Sequence, residues 1–233
     1  MSSWDFPILV PRRDDHGRRD EIWEGLKTQV WNGCQVFEGY HEGPGPFNRS
    51  AAINAAAEAA GDWRLAIIAD ADSLLADMGR LWGATATALR ENRLVIPHSR
   101  WVNVEEDEAD AFLQTAKPPL RWRKDRVRYN NTVSSFLIVP RDVWDAVNGF
   151  DERFVGWGFE DNAFMHAVDT MTEGHIRLEG DVYHLAHERP HADVNRQLDP
   201  HFIANSNHYR SLYKRTTDAT QLRRVISKNR VKL

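Results

Sequence analysis

Apolar residues in this chain fall in short continuous runs, separated by stretches with helical spacing. Phe6–Val10 is the first such run, stopped by Pro11, and it predicts a buried strand. Residues 12–20 form a polar, arginine-rich loop, and residues 21–31 carry helical spacing. Gly43-Pro44-Gly45-Pro46 excludes regular structure. From Asn48 or Ser50 to Ala60 the chain is alanine-rich, with a capping residue at its start and Gly61 at its end, so it reads as a helix. Leu65–Ala69 is apolar at every position. A strand without polar alternation fits the centre of a mostly parallel sheet covered on both faces. The strand ends in Asp70-Ala71-Asp72-Ser73, and a helical stretch is expected from there to about Glu91, followed by a strand over Arg93–Ile96. Residues 103–131 are polar, contain two prolines, and predict a long loop or lid. Thr132–Val139 reads as a strand, Arg141–Val147 as a short helix stopped by Asn148-Gly149, and Glu160–Thr172 as a helix. Ile176–Leu178 and Val182–Leu185 are short strands. This alternation predicts one α/β layer structure, a central mostly parallel mixed sheet flanked by helices.

Composition narrows this picture in three ways. With 233 residues, 42% apolar and 27% charged, the chain suits one α/β domain with a sizeable core. Residues 1–200 are expected to form that domain, and residues 201–233 a basic helical extension packed on it. The single cysteine, Cys34, excludes an intrachain disulfide framework and a thiolate zinc cluster. No window approaches the ~18–20 apolar residues of a membrane span, and the first residues lack a signal-peptide pattern. A soluble, cytoplasmic protein is the expectation. The net charge of −4 gives no global case for nucleic-acid binding, although the last 24 residues carry eight Lys/Arg against one acid. Nine tryptophans exceed the need of a core this size and hint at an aromatic-walled cleft, with core packing as the plain alternative.

Three segments carry candidate chemistry. Asp70-Ala71-Asp72 lies just past a buried strand, where open α/β sheets bind ligands. Two carboxylates there suit a hard divalent ion such as Mn²⁺ or Mg²⁺ bridging to phosphates. Helix capping by Asp72 or Ser73 is the competing reading. Seven of ten histidines lie after residue 165, and His184 and His187 are close enough in sequence to share a metal if the chain turns. In Asn148–Asp161, two glycines flank Trp157, and Glu160-Asp161 opens a helix. An indole beside a carboxylate suits a sugar, the ring covering its C–H face and the acid taking a hydroxyl proton. A favourable helix dipole would also explain acids there.

In this order the three segments resemble GT-A fold (Rossmann-like) glycosyltransferases, of the β-1,4-galactosyltransferase type and of the C-terminal galactosyltransferase segment of polypeptide N-acetylgalactosaminyltransferases. The likeness runs from about Ile8 to about His187. It is carried by Phe47-Asn48-Arg49-Ser50-Ala51-Ala52-Ile53-Asn54, by Asp70-Ala71-Asp72, and most specifically by Gly156-Trp157-Gly158-Phe159-Glu160-Asp161. The resemblance implies that Pro11, Arg12 and Arg13 line the nucleotide site and that Phe47 and Arg49 hold the uridine. Asp70 would face the nucleotide, and Ser134 and Ser135 would lie near the donor sugar. Trp157 and Gly158 would border donor and acceptor, Glu160 would hold an acceptor hydroxyl, and Asp161 would be the catalytic base. Asp72, His187 and His184 would bind the metal, His184 standing where the galactosyltransferases use a thioether. The family's membrane anchor and stem have no counterpart in the chain.

The expected activity is metal-dependent, inverting transfer of a hexose or N-acetylhexosamine from a UDP-sugar to a hydroxyl of a glycan, protein or other acceptor. Three alternatives stay open. A metal-dependent phosphoryl-transfer enzyme would use the same aspartates and histidines. A non-catalytic sugar- or nucleotide-binding module would keep the fold. A transferase acting on modified nucleic-acid bases would use the basic tail and Arg121-Trp122-Arg123-Lys124.

Overall fold

A computed structural model describes residues 6–13, 16–41, 45–115, 127–130, 132–187 and 198–230. The chain opens with β1 (Ile8–Arg12), α1 (Arg18–Gln29), β2 (Val36–Tyr40), α2 (Arg49–Ala59), β3 (Leu65–Ala69) and β4 (Ser73–Leu75). It continues through α3 (Arg80–Glu91), β5 (Val95–Ile96), β6 (Arg100–Val104), α4 (Glu106–Thr115), β7 (Val127–Asn130), β8 (Phe136–Pro140) and α5 (Arg141–Val147). The remaining elements are α6 (Glu160–Met171), β9 (Ile176–Arg177), β10 (Asp181–Leu185), α7 (Pro200–His208), a π-helical turn at Tyr209–Tyr213, and α8 (Ala219–Ile226).

The main sheet has six strands in the order β2-β1-β3-β8-β5-β9. β2, β1 and β3 are parallel to one another, as are β5 and β9, and β8 runs against both its neighbours. Every residue of β1, β3 and β8 is buried. Ile8, Val10, Leu65, Ile67, Phe136 and Ile138 meet α1, α3 and α4 through Trp23, Leu26, Leu81 and Phe112. Leu9, Ala66, Ile68, Leu137 and Val139 meet α2, α5, α6 and α8 through Ile53, Val143, Phe164 and Leu222. Helices on both faces remove any place for a polar side chain, which is why these runs lack alternation.

Three expectations need correction. Pro11 does not end the first strand, because β1 runs on to Arg12. The Ile8 N–H donates toward β2, at Gln35 O, so the nitrogen of Pro11, three residues on, faces the β3 side. β3 pairs only with Ile8 and Leu9, so a missing donor there costs no ladder bond. The segment expected as a loop or lid takes in the end of β6 and all of α4 and β7. Glu106, Asp107 and Glu108 stand in the first turn of α4, where carboxylates suit the helix dipole. Residues 116–126, with Arg121–Lys124 and Trp122, lie outside the described residues. Finally, no helix begins at Asp72 or Ser73: Ser73 enters β4 and α3 begins at Arg80. β4 belongs to a second sheet, ordered β4-β10-β6-β7, which the hydrophobic pattern does not foretell.

Trp23, Trp31, Trp63, Trp101 and Trp144 are core residues, whereas Trp82 and Trp157 are exposed. Trp4 and Trp122 lie outside the described residues. At the C-terminal end, α8 buries Leu222 and Ile226 and leaves Arg223 and Arg224 in solvent. Asp151 ties this region to the 148–158 loop, accepting hydrogen bonds from Tyr213 Oη (2.7 Å), His208 Nε2 (3.2 Å) and Arg153. Burial works against its charge, but these donors hold its carboxyl down at about 2.

Candidate active site

The site lies where the main sheet hands the chain to the small one. The Asp70 N–H donates to Ser135 O at 3.0 Å, and Ser73 N–H closes a turn onto Asp70 O at 3.2 Å. β4 then pairs antiparallel with β10, placing Ser73 opposite His184, and Leu185 N–H donates to Asp72 O at 2.9 Å. That register joins residues more than a hundred positions apart. His187 Nε2 is 3.0 Å from Asp72 Oδ2, and His184 Nε2 is 3.6 Å from the same oxygen. Candidate ligand atoms of Asp72, His184 and His187 all lie within 4.8 Å of one another. One carboxylate and two imidazoles form a donor set that fits Mn²⁺ and its first-row neighbours. Burial opposes the charge of Asp72, but the two imidazoles hold its carboxyl well below the usual range. With Ser73 in a strand, helix capping no longer accounts for this acid.

Two side chains here escaped the sequence reading. Arg19, from α1, brings Nε to 3.6 Å from Asp72 Oδ2 and Nη2 to 3.4 Å from the His187 ring. Trp101, from β6, packs on His184 with ring centres 4.8 Å apart. The Arg18-Arg19 pair in a polar stretch is the signal that could have flagged the first. Nothing in the spacing marks the second, because its position follows from the β6–β10 pairing.

A second cluster stands beside the first. Arg49, at the start of α2, donates from Nη2 and Nε to Asp70 Oδ1 at 2.7 and 3.1 Å. Its Nη1 donates to Asp161 Oδ1 at 2.7 Å and lies 3.9 Å from Glu160 Oε1. Burial, with Glu160 and Asp70 nearby, pushes the Asp161 carboxyl up to about 8 in spite of Arg49. Glu160 is raised as well, by burial first. Both acids sit in the first turn of α6, as a dipole argument requires. A dipole contribution does not demand that they be buried and share a cation.

The backbone around these acids is tied to α2. Asn48 Nδ2 donates to Glu152 O at 2.7 Å, Gly156 N–H to Phe47 O at 3.0 Å, and Asn54 exchanges bonds with Phe150 through its Nδ2 (2.9 Å) and Oδ1 (3.0 Å). The Phe47–Asn54 and Asn148–Asp161 segments are therefore one physical unit. Ser134 and Ser135 lie beside the end of β3. Ser135 is buried and holds a left-handed backbone, φ 77°, which strains a residue other than glycine or asparagine. Pro11 is buried in β1 and Arg13 is exposed. Arg12 points into another ion-pair group, with Asp20 at 2.7 Å and Glu38 at 3.9 Å, over the ring of Trp23.

Trp157 is 44% exposed and stacks on Phe202 of α7, ring centres 5.3 Å apart. The flanking glycines make room for that helix. A Cβ on Gly156 would come within 3.0 Å of His201 Cβ, and one on Gly158 within 2.9 Å of Phe202 Cδ2, at φ +108°. Gly158→Ala is expected to cost about 1–3 kcal/mol from backbone strain and the clash. A thermal melt checks this, and an unchanged midpoint would contradict it.

Comparison with known proteins bears on this arrangement. Residues 121–188 match the family described as the N-terminal domain of galactosyltransferase. No curated protein matches the chain by sequence. Among solved structures, a mutant of Drosophila β1,4-galactosyltransferase 7 in complex with manganese, UDP-Gal and xylobiose is 18% identical, at a TM-score of 0.58 over 94% of this chain and 84% of that one. The catalytic domain of the Drosophila enzyme with xylobiose is 19% identical, at 0.56 over the same shares. GalNAc-T7 with UDP, GalNAc and Mn²⁺ is 14% identical, at 0.50 over 89% of this chain and 42% of that one. The chain has the GT-A fold of these glycosyltransferase structures.

Proposed function

We propose that the protein is a metal-dependent, inverting glycosyltransferase that moves a hexose or N-acetylhexosamine from a UDP-sugar to an acceptor hydroxyl. One observation carries this reading. The Asp72–His184–His187 cluster begins two residues from Asp70, which Arg49 bridges to Asp161. Asp72, His184 and His187 would hold the divalent ion, which neutralises charge building on the departing diphosphate. Asp161 takes the proton of the acceptor hydroxyl as its oxygen bonds to the anomeric carbon. The bond from that carbon to the diphosphate oxygen breaks, and the electron pair leaves with the nucleotide. Attack from the side opposite the leaving group inverts the anomeric centre. Glu160 would hold an acceptor hydroxyl, and Trp157 offers an exposed indole to the apolar face of a sugar. The UDP-Gal, manganese and xylobiose of a similar structure support the choice of donor, metal and a glycan acceptor.

A phosphoryl-transfer enzyme would use the metal cluster but leaves the Arg49-bridged acids unexplained. No observation favours a nucleic-acid acceptor. Among the described residues no helix is long and apolar enough to cross a membrane.

A thermal-shift screen of UDP-sugars, with and without Mn²⁺, tests the reading. A donor at a hundred times its Kd should add about 2.7 kcal/mol to stability. The gain should require the metal. If no UDP-sugar shifts the melt with Mn²⁺ present, the proposal fails.

A further inference from the structure

We propose that Arg49 is a positioning residue for the transfer step, aiming Asp161 by tying it to Asp70, rather than a reader of the uracil. The inference rests on the assignment of Asp161 as base. Its warrant is how the guanidinium is used. One edge, Nε and Nη2, is given to Asp70 Oδ1, and the remaining Nη1 to Asp161 Oδ1. The side chain is only 14% exposed, so these bonds are made largely away from water. Its root is fixed too. Asn48 caps α2 by accepting the Ala51 N–H at 2.9 Å while its Nδ2 holds Glu152 O. The loop leading to Asp161 and the helix carrying Arg49 are therefore set relative to each other before any substrate arrives.

The charge balance explains why such a residue is needed. Asp161 faces Glu160 from its own helix, Asp70 from the end of β3, and Arg49 from α2. Glu160 and Asp161, adjacent and away from water, cannot both ionise without a cation between them. Arg49 favours the anionic form of Asp161, and Glu160 and Asp70 oppose it. A planar guanidinium can serve two carboxylates in different directions, whereas a lysine ammonium is a single point charge on a flexible stem.

The test compares Arg49→Lys and Arg49→Gln with the wild type, each alone and in an Asp161→Asn background. UDP affinity in the presence of Mn²⁺, kcat and its pH profile are measured. UDP affinity should stay within about twofold in the single variants, which also reports that they are folded. Arg49→Gln should lower kcat by roughly 100-fold, a share of what a general base contributes. Arg49→Lys should lose less. In both, the acidic limb of the kcat profile should move to higher pH, because the base is harder to ionise without the guanidinium. In the Asp161→Asn background, Arg49→Gln should lose no more than about a further twofold. A loss of UDP affinity matching the loss of activity, with kcat and its pH profile unmoved, would make Arg49 a nucleotide ligand and overturn the inference. Fully additive losses in the double variant would overturn it as well. Failure of the underlying reading looks different: Asp161→Asn alone would then turn over like the wild type.

Discussion

Alanine or asparagine at Asp161 is expected to abolish sugar transfer, by roughly 10²–10⁴-fold in kcat, the range that a positioned general base supplies. UDP-sugar binding should survive, because the candidate metal ligands and Asp70 are untouched. Single-turnover transfer and UDP titration, run side by side, separate the two effects. The wild-type pH dependence should agree. Asp161 must be ionised to accept a proton, and its carboxyl sits at about 8, so the rate should climb as pH rises toward and through that value. The asparagine variant should lack that limb. Normal turnover by either variant would remove Asp161 from the chemistry.

The second large effect concerns the histidine–aspartate cluster. Asp72→Ala and His187→Ala should each weaken Mn²⁺ binding by at least ~100-fold, since even partners behind a metal ligand are worth 10–100-fold. The spectroscopic signal of bound Mn²⁺ reads this without any turnover. UDP affinity in the variants should then stop responding to added metal. Chelation of the wild type should reproduce the same state and be reversed by Mn²⁺. Undiminished Mn²⁺ binding in both variants would place the metal elsewhere.

The main sheet was legible because burial on both faces leaves a plain trace. The runs at Ile8–Val10, Leu65–Ala69 and Phe136–Val139 have no polar positions, and the structure has no exposed positions there for them to fill. Asn48 likewise announced the start of α2 by its side-chain chemistry. The small sheet left no such trace. Ser73–Leu75 is three residues long and leads toward a helix, so periodicity absorbs it into that helix. Only its pairing with β10, more than a hundred residues later, reveals it. Among the candidate site residues, the acids and histidines were readable by type. The partners they would have were not. Arg19 and Trp101 suggested nothing, because each takes its place from a tertiary contact. The glycines around Trp157 leave room for α7 in the structure.

The spacing of Asp70 and Asp72 acquires a different meaning from the two sheets. The backbone of Asp70 is held by Ser135, the residue that leads into β8 of the main sheet, and that of Asp72 by Leu185, in the small one. The Ala71 between them is 4% exposed and packed in the core. Asp-x-Asp is thus the width of a seam, one residue across, with a buried middle position. An added residue there would move the carboxylate on the histidine side relative to the one on the arginine side, and the two halves of the reaction would lose their common origin.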